Sequence, residues 1–188
     1  MRIIGGEFGG RRLLAPAGSA TRPTADRVRE ALFNILGPPP AGARVLDLCA
    51  GAGTLGLEAL SRGAAHATFV DSARAAITAL RENIARLDVG PRCQVLQSDV
   101  IKAVLRLAKA PAPPFWWIFI DPPYRTDLAT LLVNAGATKN LLAADGLVII
   151  EHNRQNPAKL SATALLRTDH RRYGDTELSF YRHAMPSP

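Results

Sequence analysis

The sequence predicts an α/β protein built on a mostly parallel sheet with helices on both faces, and three observations carry that expectation. From Arg44 to Glu151, short β-rich runs alternate with helical patterns, the order that βαβ units impose. A glycine-rich stretch, "AGAGTLG" at 50–56, stands between the first run and the first helical pattern, where such folds turn from strand to helix over a ligand. After Glu151 the alternation stops, and two extended stretches read as an antiparallel pair that closes the sheet.

Taken in order, "MRIIGGEFGGRRLLAP" reads as a small glycine-turned hairpin, and "TRPTADRVREALFNIL" places Thr24 as a cap before an amphipathic helix. "GPPPAG" at 37–42 is a linker. Residues 1–40 are therefore expected to form an N-terminal extension, and 41–188 the main domain. The candidate strands are 44–48, 67–71, 93–97, 116–121 and 147–151, with helices near 54–62, 73–87, 100–109 and 126–137. In the second of these, Ile77, Leu80, Ile84 and Leu87 recur every three or four residues, while Arg74, Arg81 and Arg86 fall on other faces. Asp71 and Ser72 are its expected N-cap. The closing pair is "TALLRTDHRRYG" and "TELSFYRH", joined at "YGDT".

With 188 residues, 47% of them hydrophobic and 21% charged, the chain is expected to fold around a core rather than remain disordered. No apolar stretch approaches bilayer length, and the N-terminus has too few bulky apolar residues for a signal peptide. A cytoplasmic protein without membrane association is expected. Cys49 and Cys93 lack metal-ligand spacing and are expected to be small buried hydrophobes. His66, His152, His170 and His183 form no HxxxH pair and read as surface or turn residues. No metal is expected. The net charge of +7 favours a phosphate-rich partner, and the first thirty residues, with six arginines against three acids, are the most basic segment.

Gly51, Gly53 and Gly56 have the spacing G-x-G-x-x-G, and Asp71 follows Gly51 by twenty residues, at the end of the next strand. Such glycines let backbone turn sharply beneath a ligand, and the acid can accept bonds from two ribose hydroxyls. NAD and S-adenosylmethionine both carry that ribose. Asp47, just before the loop, would repel a pyrophosphate but suits an ammonium or sulfonium, so S-adenosylmethionine is the expected cofactor. Asp99 would lie near the adenine or cap the helix beginning at Val100, whose backbone would then meet the ring.

The apolar run "FWWIFI" ends in "DPPY", Asp121 to Tyr124. A nucleobase amine is a poor nucleophile because its lone pair is delocalised into the ring. Two acceptors bonding both N–H groups would rotate that lone pair out of conjugation. Asp121 offers one acceptor and the Pro122 carbonyl the other, stiffened by Pro123, while Tyr124 can stack on the base for roughly 1–3 kcal/mol.

"MRIIGGEFGGRRL", "RPTADRVREALFNIL", "DLCAGAGTLGLEALSRGA" and "FIDPPY", in this order and spacing, resemble the RsmD-type bacterial methyltransferases of small-subunit ribosomal RNA. The resemblance covers nearly the whole chain, loosely over 152–188. It implies a class I, Rossmann-like methyltransferase fold with seven strands, the last antiparallel, and S-adenosylmethionine as methyl donor. It also implies methylation of a guanine exocyclic N2 in an assembling small ribosomal subunit. Cofactor roles carry over to Asp47, Gly51, Gly53, Asp71 and Asp99, with Ser72 and Val100 beside them, and base-binding roles to Asp121, Pro122, Pro123 and Tyr124.

On that reading the basic extension grips RNA through Arg11, Arg12, Arg22, Arg27 and Arg29, with Arg125 beside the base. Arg27 and Arg29 have an alternative role as a cover over the cofactor. Glu151 and His152 depart from the more acidic stretch the family pattern implies. A monomer is expected, since no heptad or apolar stripe demands a dimer. Three other readings compete: a DNA adenine-N6 methyltransferase, for which 188 residues leave little room for target recognition, a nicotinamide-dependent oxidoreductase, and an RNA-binding assembly factor without turnover.

Overall fold

The computed structural model describes residues 1–16, 23–122, 127–153, 159 and 165–184, with backbone alone at 23–25. The chain forms two compact units, Met1–Val100 and Ile101–Pro188. Residues 1–40, expected as an extension, share the first unit with the opening strands of the sheet.

In the first unit, the expected hairpin is a single antiparallel bridge between Arg2 and Arg12. The Ile3 N–H donates to the Arg11 carbonyl at 3.0 Å, and the Gly10 N–H to that of Ile3 at 2.9 Å. A longer ladder is prevented by "GGEFGG" at 5–10, since glycine gains nothing from a strand and favours turns. Helix α1 (Pro23–Leu36) takes in Thr24, the expected cap, because the fixed φ of Pro23 suits a first helical turn. It buries Val28, Leu32 and Phe33 and stops before Gly37, whose φ is +65°.

Then follow β1 (Arg44–Leu48), α2 (Thr54–Ser61), β2 (His66–Asp71), α3 (Arg74–Leu87), a 3₁₀ turn at Gly90–Arg92, and β3 (Cys93–Gln97). Strand β2 pairs in parallel with both β1 and β3, setting Asp47 beside Phe69 and Asp71 beside Gln97. Val45 to Leu48 are buried without alternation, as in a strand covered on both faces. Helix α3 buries Ile77, Leu80, Ile84 and Leu87 and exposes Arg74, Arg81 and Arg86, as the spacing predicts. Its N-cap is Ala73, not Asp71 or Ser72. The Asp71 carboxylate is shared between the Ala73 N–H and the loop after β1.

Helix α4 (Val100–Leu107) begins at the boundary, and the second unit continues with β4 (Phe115–Ile120), α5 (Leu128–Asn134), α6 (Gly136–Leu141), β5 (Leu142–Asn153), β6 (Leu165–Tyr173) and β7 (Thr176–His183). The single helix expected near 126–137 is two, broken where Ala135 turns extended before Gly136. Strand β5 starts five residues earlier than expected. Its register against β4 jumps from Phe115/Leu142 to Trp117/Leu147, across an irregularity holding Gly146, where a Cβ would stand 2.9 Å from the Trp116 carbonyl oxygen.

Strands β6 and β7 form the expected hairpin, turning at Gly174, φ +63°. His152, expected at a surface or turn, is buried in β5 with Nε2 3.0 Å from Ser179 Oγ. Cys49 and Cys93 are half-buried rather than buried, and desolvation pushes the Cys93 thiol up to about 11. The seven strands run in the order β3-β2-β1-β4-β5-β7-β6, with β7 antiparallel to β5. That order and the antiparallel β7 are the class I methyltransferase architecture that the resemblance implies. Among the described residues no helix is long and apolar enough to cross a membrane.

Candidate active site

The loop after β1 is wound tightly. Cys49, Gly51 and Gly53 all have left-handed φ, at 63°, 55° and 84°. Glycine adopts this freely, whereas Cys49 costs about 1–2 kcal/mol, and nothing in the sequence signals that strain. The knot is closed by the Ala50 N–H on the Val70 carbonyl (3.0 Å) and the Gly53 N–H on the Ala50 carbonyl (2.7 Å).

The three glycines do different work. A Cβ on Gly51 would meet nothing within 4 Å, so a ligand can approach that backbone closely. A Cβ on Gly53 would stand 2.4 Å from Leu80 Cδ1, and one on Gly56 2.3 Å from Phe69 Cε1. Those two positions let α2 and the loop press against α3 and β2, the packing role of the last glycine in such a motif.

Asp47 is 1% exposed, and its Oδ2 accepts the Gly56 N–H at 2.9 Å. Burial pushes its carboxyl up to about 7, with the Gly56 amide opposing and the Asp71 charge adding. The direct contact with a ligand ammonium expected of Asp47 is therefore corrected: the group is sealed, and it organises the first turn of α2. In doing so it withdraws from any phosphate one of the amides that a dinucleotide site would offer.

The Asp71 carboxylate accepts the Gly51 N–H through Oδ2 and the Ala73 N–H through Oδ1, both at 2.8 Å. An ionised carboxylate has about four acceptor sites. Two therefore remain for a vicinal diol. The Ser98 N–H donates to the Asp71 carbonyl at 3.0 Å, which brings the end of β3 to the end of β2. Asp99 follows, exposed, and Val100 is buried at the first position of α4, while Ser72 is exposed beside Asp71. The structure thus brings together Asp47, Gly51, Gly53 and Asp71, with Asp99 next to them in the chain after Ser98. The donor set fits S-adenosylmethionine: an open backbone at Gly51, a carboxylate with capacity for a ribose, and a Gly56 amide already committed to Asp47 rather than kept for phosphate.

In the second unit Asp121 follows the last residue of β4 and is half-buried, and Pro122 is buried. Pro123, Tyr124 and Arg125 lie outside the described residues, as does Arg22. Of the remaining basic residues, Arg11, Arg12 and Arg27 are exposed. The Arg11 guanidinium stands over the Phe8 ring, 5.4 Å from its centroid. Arg27 borders a groove of about 510 Å³ shared with Arg2, Gly10, Asp26 and Glu30.

Arg29 is a correction to the expected RNA contacts. It is 6% exposed and donates through Nη2 to the Arg2 carbonyl and, at 3.0 Å, to Asp26. Its Nε lies 3.7 Å from Glu58 Oε2, within ion-pair range, yet has no hydrogen-bond partner among the described residues. Its charge is spent inside the fold.

Sequence reasoning missed the acceptor of that pair. Glu58 is fully buried and accepts the Ile4 N–H (2.7 Å), the Gly5 N–H (2.9 Å) and Arg62 Nε–H (2.8 Å). Ser61, one turn on, accepts the Phe8 N–H at 2.9 Å. Together they clamp the glycine turn onto α2. The available signal was a lone acid inside the otherwise apolar "LGLEAL". Asn83, also fully buried, was missed as well.

Comparison with known proteins is consistent along the chain. The family model described as "Conserved hypothetical protein 95" matches residues 1–182. The Bacillus subtilis (strain 168) protein YlbH is 39% identical over 97% of this chain and 98% of its own. Ribosomal RNA small subunit methyltransferase D of Escherichia coli (strain K12) is 40% identical over 83% of this chain and 76% of its own. Among solved structures, the hypothetical protein TTHA0928 of Thermus thermophilus superposes with a TM-score of 0.79 at 34% identity, covering 97% of this chain and 99% of that one.

Proposed function

The chain belongs to the Conserved hypothetical protein 95 family of RsmD-like rRNA methyltransferases, and from that premise we propose that it methylates the exocyclic N2 of a guanine in small-subunit ribosomal RNA, within an assembling subunit. It is an S-adenosylmethionine-dependent methyltransferase. What favours RNA as the substrate is the 40% identity to ribosomal RNA small subunit methyltransferase D over 83% of this chain, in a chain whose basic residues are densest near the N-terminus.

S-adenosylmethionine supplies a methyl group on a positively charged sulfur. The loop at 49–53 and the remaining acceptor capacity of Asp71 would hold the nucleoside portion, and Asp99 and the Val100 backbone would border the adenine. Asp121 accepts one N–H of the target amine and the Pro122 carbonyl the other, which frees the nitrogen lone pair from the ring. Asp121 need not be a strong base, because the methylated ammonium is acidic enough to lose its proton to water. The roles of stacking on the base and stiffening the loop fall to Tyr124 and Pro123 by their place in the motif alone. A guanine in an RNA loop reaches such a site at little unstacking cost.

The deciding experiment offers methyl-labelled S-adenosylmethionine with small ribosomal subunits from cells lacking the activity, beside naked RNA and duplex DNA. Label in N2-methylguanosine of subunit RNA is expected. Label in DNA adenine, or in no substrate, overturns the reading.

Residues 1–40 serve on this reading as the RNA-binding extension of a catalytic domain at 41–188. Arg11, Arg12 and Arg27 are its phosphate ligands among the described residues, and Arg29 leaves the set. Each single substitution to alanine is expected to reduce the slope of log affinity against log salt by roughly 0.7–0.9. RNA binding measured across a salt series checks this, and three unchanged slopes would remove the extension from the RNA interface.

A further inference from the structure

Among the described residues, Asn83 is the one whose side chain bonds both the N-terminal segment and the glycine loop. It lies on the buried face of α3, one turn after Leu80, whose methyl group packs against Gly53. Its Oδ1 accepts the Leu14 N–H at 2.7 Å, and its Nδ2 donates to the Leu14 carbonyl and to the Ala52 carbonyl, both at 3.0 Å. Both amide protons are used. The reverse orientation of the amide would set an N–H₂ group against an N–H and an oxygen against two carbonyls, so the three bonds fix the side chain one way.

The pairing with Leu14 copies a strand ladder, one donor and one acceptor to a single residue. Ala52 lies between the two left-handed glycines, in the part of the chain assigned to the cofactor. Leu14 lies at the end of the segment that carries Arg11 and Arg12. Since neither the loop nor the segment has a regular ladder of its own here, a fully buried amide that joins them limits the freedom of both.

We propose that Asn83 is a positioning residue shared by the cofactor loop and the N-terminal segment, so that ordering either one orders the other. The inference rests on assigning the 49–56 loop to S-adenosylmethionine. By linkage, whatever fixes the segment around Leu14 tightens cofactor binding by the same factor by which the cofactor tightens the segment.

The test uses the full chain, S-adenosylhomocysteine as a non-reactive ligand, and the variant Asn83→Asp. This variant keeps the size and the acceptor for Leu14 but sets a carboxylate against two carbonyl oxygens. At a temperature where its melting curve shows it folded, its dissociation constant for S-adenosylhomocysteine is expected to rise about tenfold, within the range for a lost buried hydrogen bond. An unchanged constant in a folded but less stable variant would mean that Asn83 is only structural, and the proposal would fall.

Hydrogen exchange on the wild-type chain gives the second measurement, which does not depend on the variant folding. Ligand should slow exchange of the amides at 50–57 and, with them, that of Leu14. Protection of 50–57 with Leu14 unchanged would overturn the coupling. Absence of binding, or protection elsewhere with 50–57 untouched, would instead overturn the loop assignment and the proposal with it.

Discussion

Replacing Asp121 with alanine is expected to reduce the rate of methyl transfer by about 10²–10³-fold, the range seen when one preorganised polar contact to a reacting group is removed. Affinity for S-adenosylhomocysteine should stay within about twofold. The separation follows from placement: Asp121 stands after β4, whereas the residues proposed to hold the cofactor follow β1, β2 and β3. Its proposed work is confined to the amine, whose lone pair is freed only while both N–H groups are bonded outside the ring plane. Single-turnover kinetics with subunit RNA, beside calorimetric titration of S-adenosylhomocysteine, measures both quantities on one preparation. Equal loss of rate and cofactor affinity would place Asp121 in the cofactor site instead. Asp121→Asn sharpens the result, since it keeps one acceptor oxygen without the charge and should retain more activity than alanine.

Much of the fold is legible because its elements are locally self-consistent. Strands β1 and β3 begin and end at the expected residues, and α3 buries the four residues its spacing marks. The failures have a common physical form. The break falls where Ala135 turns extended, and the early start of β5 crosses an irregularity at which Gly146 lies close against the Trp116 carbonyl; no local propensity encodes either.

The site divides in the same way. Glycine spacing predicts the turn after β1, and the acid twenty residues on predicts Asp71. What Asp47 does could not be read, because an acid at a strand end looks the same whether it faces a ligand or the amide of Gly56. Arg29 misled for the corresponding reason. Five arginines at 11, 12, 22, 27 and 29 read alike as RNA contacts, and only packing shows that Arg29 turns inward to Asp26 and Glu58.

Glu58→Ala is expected to be among the most destabilising single changes in the first unit. It removes the acceptor of two backbone amides and of Arg62, and takes from the buried Arg29 guanidinium one of the two carboxylates beside it, leaving Asp26. Breaking a buried pair from one side costs about 3–5 kcal/mol, and for a chain of this size each kcal/mol lowers the melting temperature by about 2–4 °C. Glu58→Gln should lose less, since it keeps one acceptor oxygen, although its N–H₂ group then confronts an N–H donor. Thermal melts of the three proteins rank them, and a loss below about 1 kcal/mol for alanine would show that the buried cluster contributes little beyond filling space. The location of the loss carries the functional content. Ile4 and Gly5 are held to α2 by this carboxylate, and α2 is the helix that the cofactor loop opens. Hydrogen exchange in the variant should therefore quicken first at residues 3–13, and RNA affinity should fall with it, although Glu58 itself has no exposed surface with which to touch RNA.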